Sequence, residues 1–175
     1  MNKDKAFQRK ENILQAASKL IVHFGFEKTT VEDIAHEAGV SKGAIYLVWP
    51  SKDALLDELI VFEMRRLVMD FQRRLEQDPR GGTIASLYTH SLLALNDNPL
   101  VRALYTRDGR VLGDYVRRQD VRRYTRRIQL AEDSIRQMQA ANLLRQDAHP
   151  EVIAHMLSII SVGFIYISTI VPPAE

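Results

Sequence analysis

The stretch that most restricts the fold is residues 29–52, TTVEDIAHEAGVSKGAIYLVWPSK. Val31, Ile34, Ala35 and Ala38 recur there at the helical interval and make one apolar stripe. Thr29 with Glu32 fits an S/T-x-x-E capping box, and Thr30 with Asp33 fits it loosely, so a short helix opens at Thr29 or Thr30. Gly39 stops it, because a left-handed backbone costs little only for glycine. Ser41 then supplies an N-cap for a second short helix, expected over residues 42–49. Pro50 ends that helix and Ser51 caps the next. Two short helices about a tight glycine turn make a helix-turn-helix. Small Ala35 lets them cross closely, and Ile45 and Val48 are expected to plug the second helix into the core. Such a corner serves as plain architecture in all-α domains; where it binds DNA, its second helix enters the major groove.

The string VSKGAIYLVWPSKDALL resembles the DNA-binding domain of the tetracycline-repressor (TetR) family of bacterial transcription regulators. The matching positions are Ser41, Lys42, Gly43, Ala44, Ile45, Tyr46, Trp49, Ser51, Lys52, Asp53 and Leu55. Beyond the first third of the chain the likeness is one of architecture. It implies an all-α fold: an N-terminal three-helix helix-turn-helix domain over residues 1–51, joined to a C-terminal helical ligand-binding and dimerisation domain over 52–175. It further implies a cytoplasmic homodimer that binds a palindromic double-stranded DNA operator, most often as a repressor. An unknown small-molecule effector would bind the C-terminal domain and alter the spacing of the two reading heads.

DNA roles follow position by position. Thr30 is expected to bind phosphate through its hydroxyl and nearby N–H groups, and Lys52 to clamp phosphate on the other side. Ser41, Lys42, Gly43 and Ala44 form the N-terminal end of the reading helix. Gly43 permits close approach to DNA, and Lys42 can reach a guanine edge or a phosphate. Tyr46 can give its hydroxyl to phosphate, whereas Trp49 is expected in the core. Leu47 stands where the family often has His, and Val48 where Tyr or His is frequent; Leu47 can instead meet a thymine methyl.

Elsewhere the chain reads as further helices. Residues 6–24 carry a stripe of Ile13, Ala16, Ala17, Leu20 and Ile21, ended by Gly25. Lys3, Lys5, Arg9 and Lys10 ahead of it form either a solvated tail or phosphate contacts. Residues 52–77 are apolar on several sides, as suits a helix joining two domains. DPRGG, residues 78–82, breaks the chain. The next helix carries Ile84, Leu87, Tyr88, Ser91, Leu92 and Leu95 on one face. Asn98 and Pro99 open a short helix in cap and first position, and Gly109 and Gly113 loosen the join to a long helix ending near Asn142. There Arg118, Arg122, Arg123 and Arg126 lie opposite the apolar stripe and read as a solvated face. Arg117 falls on the apolar side, to meet an anionic ligand or to pair with Asp114. The candidate pocket residues are Phe62, Arg66, Met69, Tyr105, Arg117, Tyr124 and Met138; plain packing is the competing role for each.

The last helix follows Pro150 and is almost wholly apolar over residues 152–171. About 20 such residues just span a bilayer. His155, three serines and Gly163 inside it favour a subunit interface instead. Val152, Met156, Ile159, Ile160, Gly163, Phe164 and Ile167 make its ridge, beside a groove at Ala154 and Ser158. The family ends in two such helices. This chain offers one and stops at VPPAE, being naturally short, truncated or missing a segment.

Composition narrows the chemistry. A chain of 175 residues holds one medium domain or two small ones, and its charge of +2 permits DNA binding without demanding it. The absence of cysteine excludes disulfides and thiol catalysis. Gly-rich phosphate loops, His-Glu-x-x-His pairs and Gly-x-Ser-x-Gly elbows are missing, and no two histidines stand three or four apart. No enzyme, metal or cofactor is therefore expected. The rivals to a regulator are a membrane-anchored helical protein and an all-α interaction module without DNA binding.

Overall fold

The computed structural model describes residues 2–80, 83–116, 128–129, 132–133, 135–137, 139–140 and 145–170, with backbone alone at 2–4, 84, 161–162 and 164–170. Every regular element among them is helical. Helix α1 (Asn2–Phe24) starts four residues earlier than expected and buries Ile13, Leu14, Ala17 and Ile21. Gly25 closes it at φ 87°, its N–H donating to the Ile21 carbonyl at 2.9 Å. Helix α2 (Val31–Glu37) and helix α3 (Lys42–Tyr46) form the corner, and Gly39 turns between them at φ 64°. Ser51 opens helix α4 (Lys52–Gln77), its hydroxyl accepting from the Ala54 N–H.

The main core lies where α1, α2, α3 and the first half of α4 meet. Leu55, Leu56, Leu59 and Ile60 of α4 interlock there with Ile34, Ala35, Ile45 and Trp49. Each such leucine or isoleucine stabilises by about 1.5–3 kcal/mol relative to an exposed one. Val48 does not join them: it is 47% exposed. Helix α3 ends at Tyr46, so helical phase cannot be carried on to residue 48, and Trp49 fills the space instead.

Helix α4 continues past this core, as expected of a joining helix, and packs against α5 (Ile84–Asn96) and α6 (Pro99–Thr106). Its end is tied by Asp78, which accepts from Arg80, from the Ser86 hydroxyl at 2.6 Å, and lies 2.9 Å from His90 Nε2. Asn98 caps α6 with Pro99 in first position. A single turn of helix, α7 (Gly109–Leu112), and a 3-10 turn (Gly113–Val116) return the chain to the main core. There the Phe26 N–H donates to the Val111 carbonyl at 2.7 Å, and Gly25 lies so close to the Arg110 carbonyl that a Cβ would sit 2.5 Å from it.

Helix α8 (Pro150–Ile170) packs against α6 and buries Ala154 with Ile128 and Ile135. No helix among the described residues is long and apolar enough to cross a membrane. Gly81, Gly82, Arg118, Arg122, Arg123 and Arg126 lie outside the described residues.

Candidate nucleic-acid interface

The reading helix is built by its caps. Ser41 stands in extended backbone and its Oγ accepts from the Ala44 N–H at 3.2 Å. Ile45 is the inward anchor, fully buried, with Trp49 behind it. The Trp49 indole N–H donates to Glu58 at 2.6 Å, and Lys10 pairs with the same carboxylate. Lys10 is thus committed to the fold rather than to a loose tail. Ser41, Lys42, Gly43, Tyr46, Leu47 and Val48 all face solvent, and Ala44 is half-buried.

Gly43 has no internal reason to be glycine. A Cβ built there would meet only Ser41 Oγ, at 4.0 Å. Glycine inside a helix costs roughly 0.5–1 kcal/mol relative to alanine. What the missing side chain provides is open backbone on the outer face.

The charges at this face are partly spent within the chain. Lys42 pairs with Glu32 of α2 and lies 5.9 Å from the Tyr46 ring centroid. The ammonium holds the Glu32 carboxyl below the usual carboxylate range, and Glu32 in turn raises Lys42. A phosphate reached by Lys42 would compete with Glu32 or share the ammonium with it.

Two expected phosphate-binding residues also have partners within the chain. Thr30 is the N-cap of α2, and the reciprocal capping box runs between it and Asp33. Its hydroxyl donates to Asp33 at 2.7 Å and accepts from the Asp33 N–H at 3.1 Å. Thr29, the other cap candidate, is buried and donates to the Gly25 carbonyl at 2.9 Å. Lys52 points inward: its ammonium donates to the carbonyls of Phe26 at 2.7 Å and Thr29 at 3.0 Å, and sits 4.2 Å from the Phe26 ring centroid. It ties the turn before α2 to the start of α4.

Residues 13–59, which hold the second half of α1, all of α2 and α3 and the first turns of α4, match the family model for bacterial regulatory proteins of the tetR family. Over these residues the chain is similar to the DNA-binding domain of the TetR family. It is 32% identical over 93 residues to YuxN of Bacillus subtilis (strain 168), an HTH-type transcriptional regulator, covering 53% of this chain and 31% of that protein. It is 36% identical over 52 residues to the HTH-type transcriptional repressor KstR2 of Rhodococcus jostii (strain RHA1), covering 30% of this chain and 26% of that one. The matched stretches thus span only a quarter to a third of these relatives. The fold extends further: the TetR regulator TylP of Streptomyces fradiae is similar over 95% of this chain and 78% of its own, with a TM-score of 0.67 at 25% identity.

The candidate pocket residues of the C-terminal half take separate places in the packing. Phe62 packs on the main core and Tyr105 on Leu95 and Val101. Arg66 pairs with Glu63 across the Phe62 ring, and Met69 faces solvent. Among the described residues, none of these four lines the two clefts beside α1. Arg117, Tyr124 and Met138 lie outside the described residues. A cleft of about 1330 Å³ opens elsewhere, between the end of α1 and α6–α7, with Phe24, Lys28, Arg102 and Arg110 in its wall.

Sequence reasoning missed Glu63. It is 2% exposed and accepts from Asn98 Nδ2 at 2.9 Å, while Asn98 Oδ1 accepts from the Val101 N–H. The signal was only an acidic residue one helical turn from Leu59 and Ile60, inside an apolar run. On α8, Val152, Met156, Ile159 and Ile160 are exposed, Gly163 is half-buried, and a Cβ at Gly163 would meet nothing within 4 Å. The side chains of Phe164 and Ile167 lie outside the described residues.

Proposed function

We propose that this protein is a DNA-binding transcriptional regulator, a ligand-responsive repressor that grips a palindromic operator as a homodimer in the cytoplasm. The carrying observation is the outer face of α3. An N-capped helix is locked to the core by Ile45 and Trp49, yet presents an open glycine backbone outward at Gly43. That arrangement suits entry into a major groove, where residues at the N-terminal end of a recognition helix contact base edges. Ser41, Lys42, Gly43, Ala44, Tyr46 and Leu47 form the contact surface. Thr30 and Lys52 shape it, with their polar groups reaching phosphate only through rearrangement.

Two features support the rest of the reading. The exposed ridge of α8 gives two copies a surface to share, which places two heads on one DNA face. The helical half joins the reading head through α4 and α7, so a ligand there has a route to the spacing of the heads. KstR2 is named a repressor, and stearoyl-CoA is bound by the structural neighbour FadR of Bacillus subtilis; both facts concern those proteins and leave this chain's effector open.

Selection of bound fragments from random DNA tests the reading directly. A two-fold symmetric sequence should emerge, with half-site centres about 34–36 Å apart or a multiple of that. Its affinity should fall with added salt, the logarithmic slope steepening by about 0.9 per phosphate neutralised. Enrichment of no sequence, with no salt-dependent binding, would refute DNA reading.

A further inference from the structure

Residues 41–50 of the reading segment, SKGAIYLVWP, contain no Arg, Asn, Gln, Asp or Glu. Those are the side chains that make directional hydrogen bonds to guanine, adenine and cytosine edges. The one cation, Lys42, is engaged by Glu32. Ile45 and Trp49 are turned inward. What remains outward is apolar to an unusual degree: Leu47 is 89% exposed and Val48 lies beside it, also open to solvent.

The position of Leu47 is fixed. Its N–H donates to the Gly43 carbonyl at 3.0 Å, so the two residues stand one turn apart on the same face. Gly43 lets a base pair approach the backbone; Leu47 then flanks that approach with an isobutyl group that touches little within its own chain. In the major groove only thymine offers an apolar group, its C5-methyl.

We infer that Leu47 selects thymine in the operator half-site, by methyl contact over the open backbone of Gly43. The inference rests on the DNA-reading function proposed above and adds the base class that this chain prefers. Burying one methyl-sized group corresponds to about a fourfold change in affinity.

The test uses the full-length protein and its selected operator, resynthesised with deoxyuridine replacing each thymine in turn. Deoxyuridine keeps the pairing and the O4 acceptor and lacks only the methyl. One thymine per half-site should respond, with affinity about fourfold weaker for each half-site changed. Leu47→Ala, at an exposed position that leaves the core intact, should bind thymine and deoxyuridine operators alike. The inference is overturned if no thymine position responds, or if Leu47→Ala keeps the full response. Should the protein bind no specific DNA, the regulator reading itself falls, a result distinct from specific binding that ignores the methyl. Loss of a protein partner on Leu47→Ala, with DNA discrimination unchanged, would assign the exposed leucine to that partner and overturn the methyl contact.

Discussion

Gly43 and Asp78 show single residues chosen for opposite reasons. Alanine at position 43 meets no neighbour and removes a helix-destabilising residue, so Gly43→Ala should stabilise the protein by about 0.5–1 kcal/mol. On the proposed mode of DNA binding the same methyl would stand in the path of a base pair, so operator affinity should fall; urea unfolding beside a gel shift separates the two effects. A variant both more stable and equally tight on DNA would show that Gly43 has no role at the interface. Asp78 is held well below the usual carboxylate range, chiefly by the Arg80 guanidinium, then by the Ser86 hydroxyl, the Arg80 N–H and His90. A carboxyl depressed in the folded state adds stability above its unfolded value, near about 4, and that stability is lost as pH falls toward its folded value. Asp78→Asn should therefore flatten the acid limb of the unfolding midpoint below about pH 4. An unchanged acid limb would place the sensitivity on other carboxylates. Several residues were legible in sequence because their partners are close by: Ser41, Ser51 and Asn98 cap where their spacing says. Lys52 and Glu63 were not, because the Phe26 carbonyl that holds the one and the Asn98 amide that meets the other lie 26 and 35 residues away. Thr29 and Thr30 each fit a capping box, and only the fold, by sending the Thr29 hydroxyl to Gly25, decides between them.

Among the elements, helix boundaries followed from local chemistry wherever a glycine or a cap marks them. Helices α2, α4 and α6 open and close within a residue or so of expectation, set by Thr30, Gly39, Ser51 and Asn98. Helix α3 is shorter than its apolar spacing suggested. Five residues are far below the length at which a helix is stable alone, so α3 exists through Ile45 and Trp49 rather than through propensity. The periodic pattern could not announce that the chain would leave the helix at Tyr46 and bring Trp49, not Val48, to the core. Equally hidden was the seat of α7 on the turn after α1. Gly25 has both a left-handed backbone and the Arg110 carbonyl against its Cα, so alanine there conflicts with backbone on two counts. Left-handed backbone alone costs a non-glycine residue about 1–2 kcal/mol. Gly25→Ala should destabilise the protein by at least that amount and part α7 from the reading head. Hydrogen exchange at the Phe26 amide, which donates to Val111, gives a local readout. Faster exchange at Phe26 with α3 amides still protected is the expected result; unchanged exchange would mean that the seat does not depend on glycine.

For the molecule as a whole, the open question of assembly turns on α8. One side of this helix is already used, with Ala154 buried against Ile128 and Ile135. The other side carries Val152, Met156, Ile159 and Ile160 in contact with solvent, at helical intervals that make one continuous ridge. A ridge of this kind left bare invites association. Isologous pairing hides it and gives both copies the same contact, as a two-fold axis requires. Gly163, one turn beyond Ile159 and with open space at its Cβ position, lets two such helices approach closely. Ile159 is the sharpest probe, because at 66% exposure it adds little to the core of its own chain. Ile159→Glu should thus leave each subunit folded, with an unchanged helical circular-dichroism signal, and put a charge into the shared contact. Light scattering should then report a monomer in place of a dimer. Operator affinity should drop steeply, because each head would bind its half-site alone, without the effective concentration that linkage provides. A wild-type protein that scatters as a stable monomer, or an Ile159→Glu variant that still dimerises, would assign the ridge to some other contact and leave the two-headed grip on DNA without its hinge.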